Sequence, residues 1–181
     1  SICGVIEGVR PQKPSASRRV VSSVTMTTLR RLAGGTAVAG DAEWTGRRAP
    51  ADGDSMSNGG SLSIIVPAHN EALRLGPTLD KLLAWADGRS FPVEVLVVDD
   101  GSSDDTVRLA TRRAEGEPRL SVAGYPGNRG KGFAVGFGVE RVNGDRILVT
   151  DADLSTPIEF FDDLERALED GDIAIASRAH P

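Results

Sequence analysis

Beyond Gly60 the chain alternates short, nearly unbroken apolar runs with longer stretches in which apolar residues recur every three or four positions. Leu62-Ser-Ile-Ile-Val-Pro67 reads as a buried strand, and Leu73 to Ala86 then sets Leu75, Leu79, Leu82, Leu83 and Ala86 on one helical face. Val93 to Val98 predicts a second strand. Ser102 or Ser103 is placed to cap a helix from about Asp104 to Arg113, with Asp104 and Asp105 favourable at its positive end. The unit repeats with strands over Leu120 to Ala123, Arg146 to Thr150 and Asp172 to Ala176, and helices over Gly132 to Val142 and Ile158 to Leu168. Strands apolar on both faces, separated by helices, predict an α/β fold with a mostly parallel sheet flanked by helices. Such sheets bind ligands beyond the carboxyl ends of their strands, so the residues that follow each strand are the candidates for chemistry.

Ser1 to Gly60 shows neither rhythm. It is rich in Gly, Ala, Ser and Arg, with doublets at Arg18-Arg19, Arg30-Arg31 and Arg47-Arg48. A segment of this kind buries too little apolar surface to offset the entropy of ordering it. Residues 1–60 are therefore expected to be a disordered extension with at most a short helix around Met26 to Ala33, and residues 61–181 a single domain. A basic arm for anionic lipid is the functional alternative for the extension, and ordinary solvated charge the plainer one. Met56 stands just ahead of the first strand and reads as the natural start. The abrupt end at Ser177-Arg178-Ala179-His180-Pro181 makes the domain look C-terminally truncated.

Composition narrows the partners. A hydrophobic content of 39% in 181 residues suffices for one core. The net charge of -5 argues against nucleic acid, since coating a phosphate backbone needs surplus Lys and Arg. Cys3, the single cysteine, cannot make an internal disulfide, and no Cys/His spacing suggests zinc, so a reducing, cytoplasmic location is expected. No apolar run approaches the roughly 20 residues that span a bilayer, nor is there a secretory h-region. Membrane association, if any, is expected to be peripheral, at the cytoplasmic face.

The first strand is followed by Pro67-Ala-His-Asn-Glu71, where a dinucleotide-binding unit would carry its glycines. A Walker loop is missing too, because Gly130-Lys131 has Tyr125 in the first glycine position and Gly132 where Ser or Thr would hold magnesium. The second strand ends in Asp99-Asp-Gly-Ser-Ser-Asp-Asp-Thr106, a carboxylate pair before a turn. A carboxylate there can accept the N–H of a uracil or guanine, or merely cap the next helix. Gly127-Asn-Arg-Gly-Lys-Gly132 is a glycine loop in which Lys131 can meet phosphate or donor sugar. The fourth strand ends in Asp151-Ala-Asp153, two carboxylates suited to a hard divalent cation that shares its other positions with water and diphosphate oxygens. Taken alone, a D-x-D is more often a solvated turn. Its place directly after an apolar strand favours the metal reading. His69 and His180 have no partner pattern for nucleophilic catalysis.

Together, Pro67-Ala-His-Asn-Glu71, Val98 to Thr106, Gly130-Lys-Gly132, Asp151-Ala-Asp-Leu-Ser-Thr-Pro157 and Ser177-Arg178 resemble family 2 glycosyltransferases of the GT-A fold, a Rossmann-like nucleotide-diphospho-sugar transferase fold. The Asp-Ala-Asp-Leu-Ser segment is similar to that of dolichyl-phosphate and polyprenyl-phosphate sugar synthases, and its Ser-Thr-Pro ending to the glucosyltransferase branch. The resemblance covers Ser61 onward. It implies that Pro67, His69, Glu71, Val98 and Asp100 form the nucleotide pocket, with Lys131 at the phosphate or sugar. It also implies that Asp151, Ala152, Asp153 and Ser155 hold Mg²⁺ or Mn²⁺ and the diphosphate, with Asp151 and Asp153 as metal ligands and catalytic groups, and that Arg178 reaches the donor. His69 departs from the family, which usually has Tyr there; imidazole can also stack on a base.

The implied reaction displaces a nucleoside diphosphate from the anomeric carbon with inversion. UDP-glucose is the favoured donor over GDP-mannose, and dolichyl or polyprenyl phosphate the acceptor. A phosphate acceptor is already an anionic nucleophile and needs no strong general base, whereas a hydroxyl does. The alternatives are transfer to a glycan hydroxyl and a non-catalytic nucleotide-sugar binding fragment. An open, truncated site is expected to bind donor nucleotide weakly with metal and to transfer sugar poorly.

Overall fold

The computed structural model describes residues 4–6, 24–30, 60–169 and 172–177. Strand β3 (Leu62–Ala68) leads into α1 (Ala72–Asp87), β4 (Val93–Asp100) into α2 (Thr106–Ala114), and β5 (Leu120–Tyr125) into α3 (Lys131–Val139). Strand β6 (Arg146–Thr150) leads through a 3-10 turn (Ile158–Phe160) into α4 (Phe161–Ala167), and β7 (Ile173–Ser177) follows. Two further strands, β1 (Gly4–Ile6) and β2 (Val24–Arg30), come earlier in the chain. All seven share one sheet in the order β1-β7-β2-β6-β3-β4-β5.

Strands β6, β3, β4 and β5 run parallel, with Leu62 paired to Val93 on one side and to Arg146 on the other. Every residue of β6, and all of β3 but Pro67, is buried, as expected of strands covered on both faces. One face packs Ile64, Val66, Val95 and Val97 against Leu75, Leu79 and Leu82 of α1, Ala110 of α2, and Phe161 and Leu164 of α4. The other packs Ile65, Leu96, Val98 and Val149 against Ala134 of α3 and Val142. The predicted α/β architecture is therefore the observed one, and the strand and helix order is as the apolar rhythm implied.

Three local expectations differ. Val24–Arg30 is a strand, where no structure or a short helix was expected. It lies antiparallel between β6 and β7, pairing Thr28 with Leu148 and with Ala174. The segment Val24-Thr-Met-Thr-Thr-Leu-Arg30 is rich in β-branched residues, and buried Met26 and Thr28 alternate at the strand period. Such a strand is too polar to stand out in sequence and is specified by the two ladders that flank it. The sheet thus draws strands from both sides of residue 60. Second, Ser102 and Ser103 do not cap α2. Its N-cap is Asp105, and the Asp104 carboxylate accepts from the Thr106 N–H at 2.9 Å instead. Third, the helix expected over Ile158 to Leu168 begins as a 3-10 turn. The suggested start at Met56 lies outside the described residues.

Candidate functional site at the strand ends

The carboxyl ends of β3, β4 and β6 open into a cleft of about 380 Å³ lined by Pro67, Ala68, His69, Glu71, Asp100, Asn128, Gly130, Lys131, Asp151, Ala152 and Asp153. Residues from four separated parts of the chain meet here because three parallel strands end side by side and α3 begins against the same edge. The lining carries four carboxylates, Glu71, Asp100, Asp151 and Asp153, against one ammonium, Lys131.

Asp100 is buried at the end of β4 and organises the glycine loop. Its Oδ1 accepts from the Tyr125 hydroxyl at 2.8 Å and the Arg129 N–H at 2.6 Å, and its Oδ2 from the Gly130 N–H at 2.8 Å. Burial by itself would raise this carboxyl. The bonds from Arg129, Tyr125 and Gly130, with His69 nearby, outweigh it and hold Asp100 below the usual carboxylate range. Burial and the bond to Asp100 push the Tyr125 hydroxyl far up, so it stays a donor. The loop's backbone follows from this anchor. Gly130 takes φ 88° as the N-cap of α3, and Gly101 takes φ 67° where its missing Cβ would lie 2.4 Å from the Gly127 carbonyl carbon. A side chain at Gly101 would drive the two loops apart.

His69 has a defined tautomer. The Asn70 Oδ1 accepts from the Ser103 N–H at 2.9 Å and the Asp104 N–H at 3.3 Å, which turns its amide nitrogen toward His69 Nε2, 3.2 Å away. Nε2 must then accept, and Nδ1–H donates to the Asp100 carbonyl at 2.8 Å. The imidazole is held rigid beside the cleft by these two contacts. Asp104 ties the neighbouring turns together, accepting from the Thr106 hydroxyl at 2.5 Å and the Ala72 N–H at 3.2 Å, while Thr106 Oγ1 accepts from the Glu71 N–H at 2.8 Å.

After β6 the chain turns sharply, with the Leu154 N–H on the Asp151 carbonyl at 3.0 Å and Leu154 itself at φ 47°. Left-handed backbone is uncommon for a bulky residue and signals a turn held by its surroundings. One restraint is Asp153 Oδ1, which accepts from both the Ser155 N–H at 2.9 Å and the Ser155 hydroxyl at 2.6 Å. The Ser155 hydroxyl is the main reason the Asp153 carboxyl sits below its ordinary range; burial opposes it and the Arg74 charge assists. A second restraint is the buried Thr78 hydroxyl of α1, which donates to the Ala152 carbonyl at 2.7 Å. Asp151 Oδ1 meets Lys131 Nζ at 2.5 Å.

The structure therefore brings together Pro67, His69, Glu71, Asp100, Lys131, Asp151, Ala152 and Asp153. Val98 is not among the lining residues; it lies on the same face of β4 as Asp100 but two residues deeper along the strand, wholly buried in the core against α3. Ser155 is not among the lining residues and donates to Asp153 instead. Arg178 lies outside the described residues. Asp100 was expected to receive a base, but three of its acceptor positions are taken by Tyr125 and the loop, so it first serves as the loop's anchor. Sequence reasoning missed Thr78, Tyr125 and Arg74, which pairs with Glu71 at 2.7 Å. Only Tyr125 had a signal, as an aromatic at the end of a strand.

The donor set fits a divalent cation of a particular kind. Among the described residues no group of three or more His, Cys, Asp or Glu side chains is arranged to hold a metal. Asp151 and Asp153 supply two carboxylates, which suits Mg²⁺ or Mn²⁺ completed by water and phosphate oxygens rather than an all-protein cage. The excess of carboxylates also means that a diphosphate would be repelled here without a cation.

A model described as glycosyl transferase family 2 matches residues 63–181. A dolichyl-phosphate beta-glucosyltransferase of Drosophila melanogaster is 42% identical over 133 residues, 66% of this chain and 41% of that protein. The Homo sapiens protein of the same name is 37% identical over 133 residues, again 66% of this chain and 41% of the relative. The chain thus spans about two fifths of the length of these relatives. Among solved structures, glucosyl-3-phosphoglycerate synthase of Mycobacterium tuberculosis matches with a TM-score of 0.48 and 29% identity over 63% of this chain and 43% of that one.

Proposed function

The chain belongs to glycosyl transferase family 2, and on that ground we propose that its cleft is the nucleotide-sugar site of an enzyme that transfers glucose from UDP-glucose to dolichyl or a related polyprenyl phosphate. One observation carries the reading. Two carboxylates, an ammonium and a rigid imidazole converge at the ends of three parallel strands, in a cleft large enough for a nucleotide.

In this reading Asp151 and Asp153 hold Mg²⁺ or Mn²⁺. Bound there, the cation supplies Lewis-acid stabilisation of the charge that grows on the leaving diphosphate. Lys131 and the positive end of α3, which begins at that residue, face the same phosphates. The His69 ring, fixed from both nitrogens, offers a flat surface for the base. Asp100 keeps the 127–130 loop closed against the nucleotide, and Thr78 keeps Asp151 and Asp153 at a fixed separation. The acceptor phosphate attacks as an anion, so none of these groups has to remove a proton. The names of the Drosophila and human relatives favour glucose and a dolichyl carrier.

Among the described residues no helix is long and apolar enough to cross a membrane. A polyprenyl-phosphate acceptor is itself a membrane lipid, so in this reading the cleft meets it at a membrane surface. The test is transfer of radiolabelled sugar into dolichyl phosphate by the purified protein, with UDP-glucose and GDP-mannose compared side by side. Label from UDP-glucose in the lipid fraction supports the reading. Label only from GDP-mannose corrects the donor. Label in water-soluble glycan with none in lipid overturns the acceptor.

A further inference from the structure

Resting on that reading of the cleft, we propose that Lys131 is a placeholder for the cation: its ammonium occupies Asp151 while the site is empty, and moves to the diphosphate when metal and nucleotide arrive. Lys131 Nζ lies 2.5 Å from Asp151 Oδ1, on one of the two carboxylates that would hold the metal. The lysine side chain is half exposed, and that of Asp151 about a quarter exposed, so the pair is accessible and reversible rather than sealed in the core. Lys131 starts α3, directly after Gly130, whose N–H is held by Asp100. Its backbone is therefore fixed while its four-carbon stem can swing.

Two consequences follow from charge alone. A cation that arrives without nucleotide must displace the ammonium from Asp151 and sit close to a second positive charge, so binding of metal alone is opposed by their repulsion. A cation that arrives with a diphosphate gives the released ammonium an anionic partner, so metal and nucleotide favour each other. By linkage the coupling is reciprocal. Before the cation arrives, Lys131 offsets the charge of Asp151 as Arg74 offsets that of Glu71. Lys131 thus makes the site selective for the metal–nucleotide pair over free divalent ions.

The experiment is a Mn²⁺ titration read by the electron paramagnetic resonance signal of the free ion, with and without UDP, on the wild-type protein, Lys131→Gln, Lys131→Arg and Asp151→Asn. Lys131→Gln should bind Mn²⁺ alone more tightly, by about threefold or more for a partly exposed pair. With Mn²⁺ saturating, the same variant should bind UDP more weakly. Lys131→Arg, which keeps the charge, should stay close to wild type in both. Opposite changes in the two affinities are not expected of a residue that merely supports the fold. Unchanged or weaker Mn²⁺ binding by Lys131→Gln, with binding still dependent on Asp151, would overturn the placeholder while leaving the metal site intact. Mn²⁺ binding that is absent from every variant, or indifferent to Asp151→Asn, would remove the metal role of Asp151 and the placeholder with it.

Discussion

The Thr78 hydroxyl, on the buried face of α1, donates at 2.7 Å to the carbonyl of Ala152, the residue between the two aspartates. The bond joins positions 74 residues apart and couples the packing of a helix to the geometry of a cation site. Thr78→Val keeps the shape and leaves the Ala152 carbonyl without its donor. The expected cost is about 1–3 kcal/mol of stability, with a weaker Mn²⁺ affinity, whereas Thr78→Ser should retain both. Thermal melts and metal titrations on the two variants check this, and equal behaviour of Val and Ser would remove the coupling.

Asp100 makes the glycine loop sensitive to acid. Its carboxyl is held below the ordinary value, so the folded state binds its proton less readily than the unfolded chain does. The stabilisation is complete above the unfolded value, near pH 4, and is lost as pH falls through the lower folded value. Melting temperatures measured from pH 7 down to pH 2.5 should therefore drop in the acid range, and Asp100→Asn should flatten part of that drop. At neutral pH the same variant should lose about 1–3 kcal/mol, since an amide cannot accept from Tyr125, Arg129 and Gly130 at once. An acid profile identical to wild type would contradict the anchor.

Leu154 provides a test of the turn that presents Asp151 and Asp153. At φ 47° an unbranched Cβ is tolerated and a β-branched one is not. Leu154→Ile, conservative in size and polarity, should destabilise by about 1–3 kcal/mol and loosen the metal site, while Leu154→Asn should keep the turn and lose only the partial packing of the leucine on the core. Chemical denaturation of the two variants compares strain with packing directly.

Much of this architecture was readable in advance because it rests on local rhythm. Leu62 to Pro67 is apolar on both faces, Leu75, Leu79 and Leu82 share one helical side, and Asp151 stands at the mouth of a strand that announces itself. What stayed hidden is what depends on distant partners. β2 is a polar, threonine-rich segment that becomes a strand only between β6 and β7. The placement of Asp100 beside the cleft followed from its strand, but its three bonds come from a tyrosine and a loop 25 to 30 residues further on. Thr78 carries no mark in its own helix. Val98 shares a face of β4 with Asp100, and only its depth along the strand, which the motif does not encode, keeps it in the core.

The claim on which the rest depends is that Asp151 and Asp153 bind a nucleoside diphosphate through a divalent cation. Isothermal calorimetry of UDP against the protein, with Mg²⁺ or Mn²⁺ and then with a chelator, measures it most directly, beside Asp151→Asn and Asp153→Asn. Binding should require the cation, and either substitution should weaken it by about tenfold or more, as for loss of a charged contact to the ligand. Binding of equal strength with the chelator present, or in both variants, would contradict it.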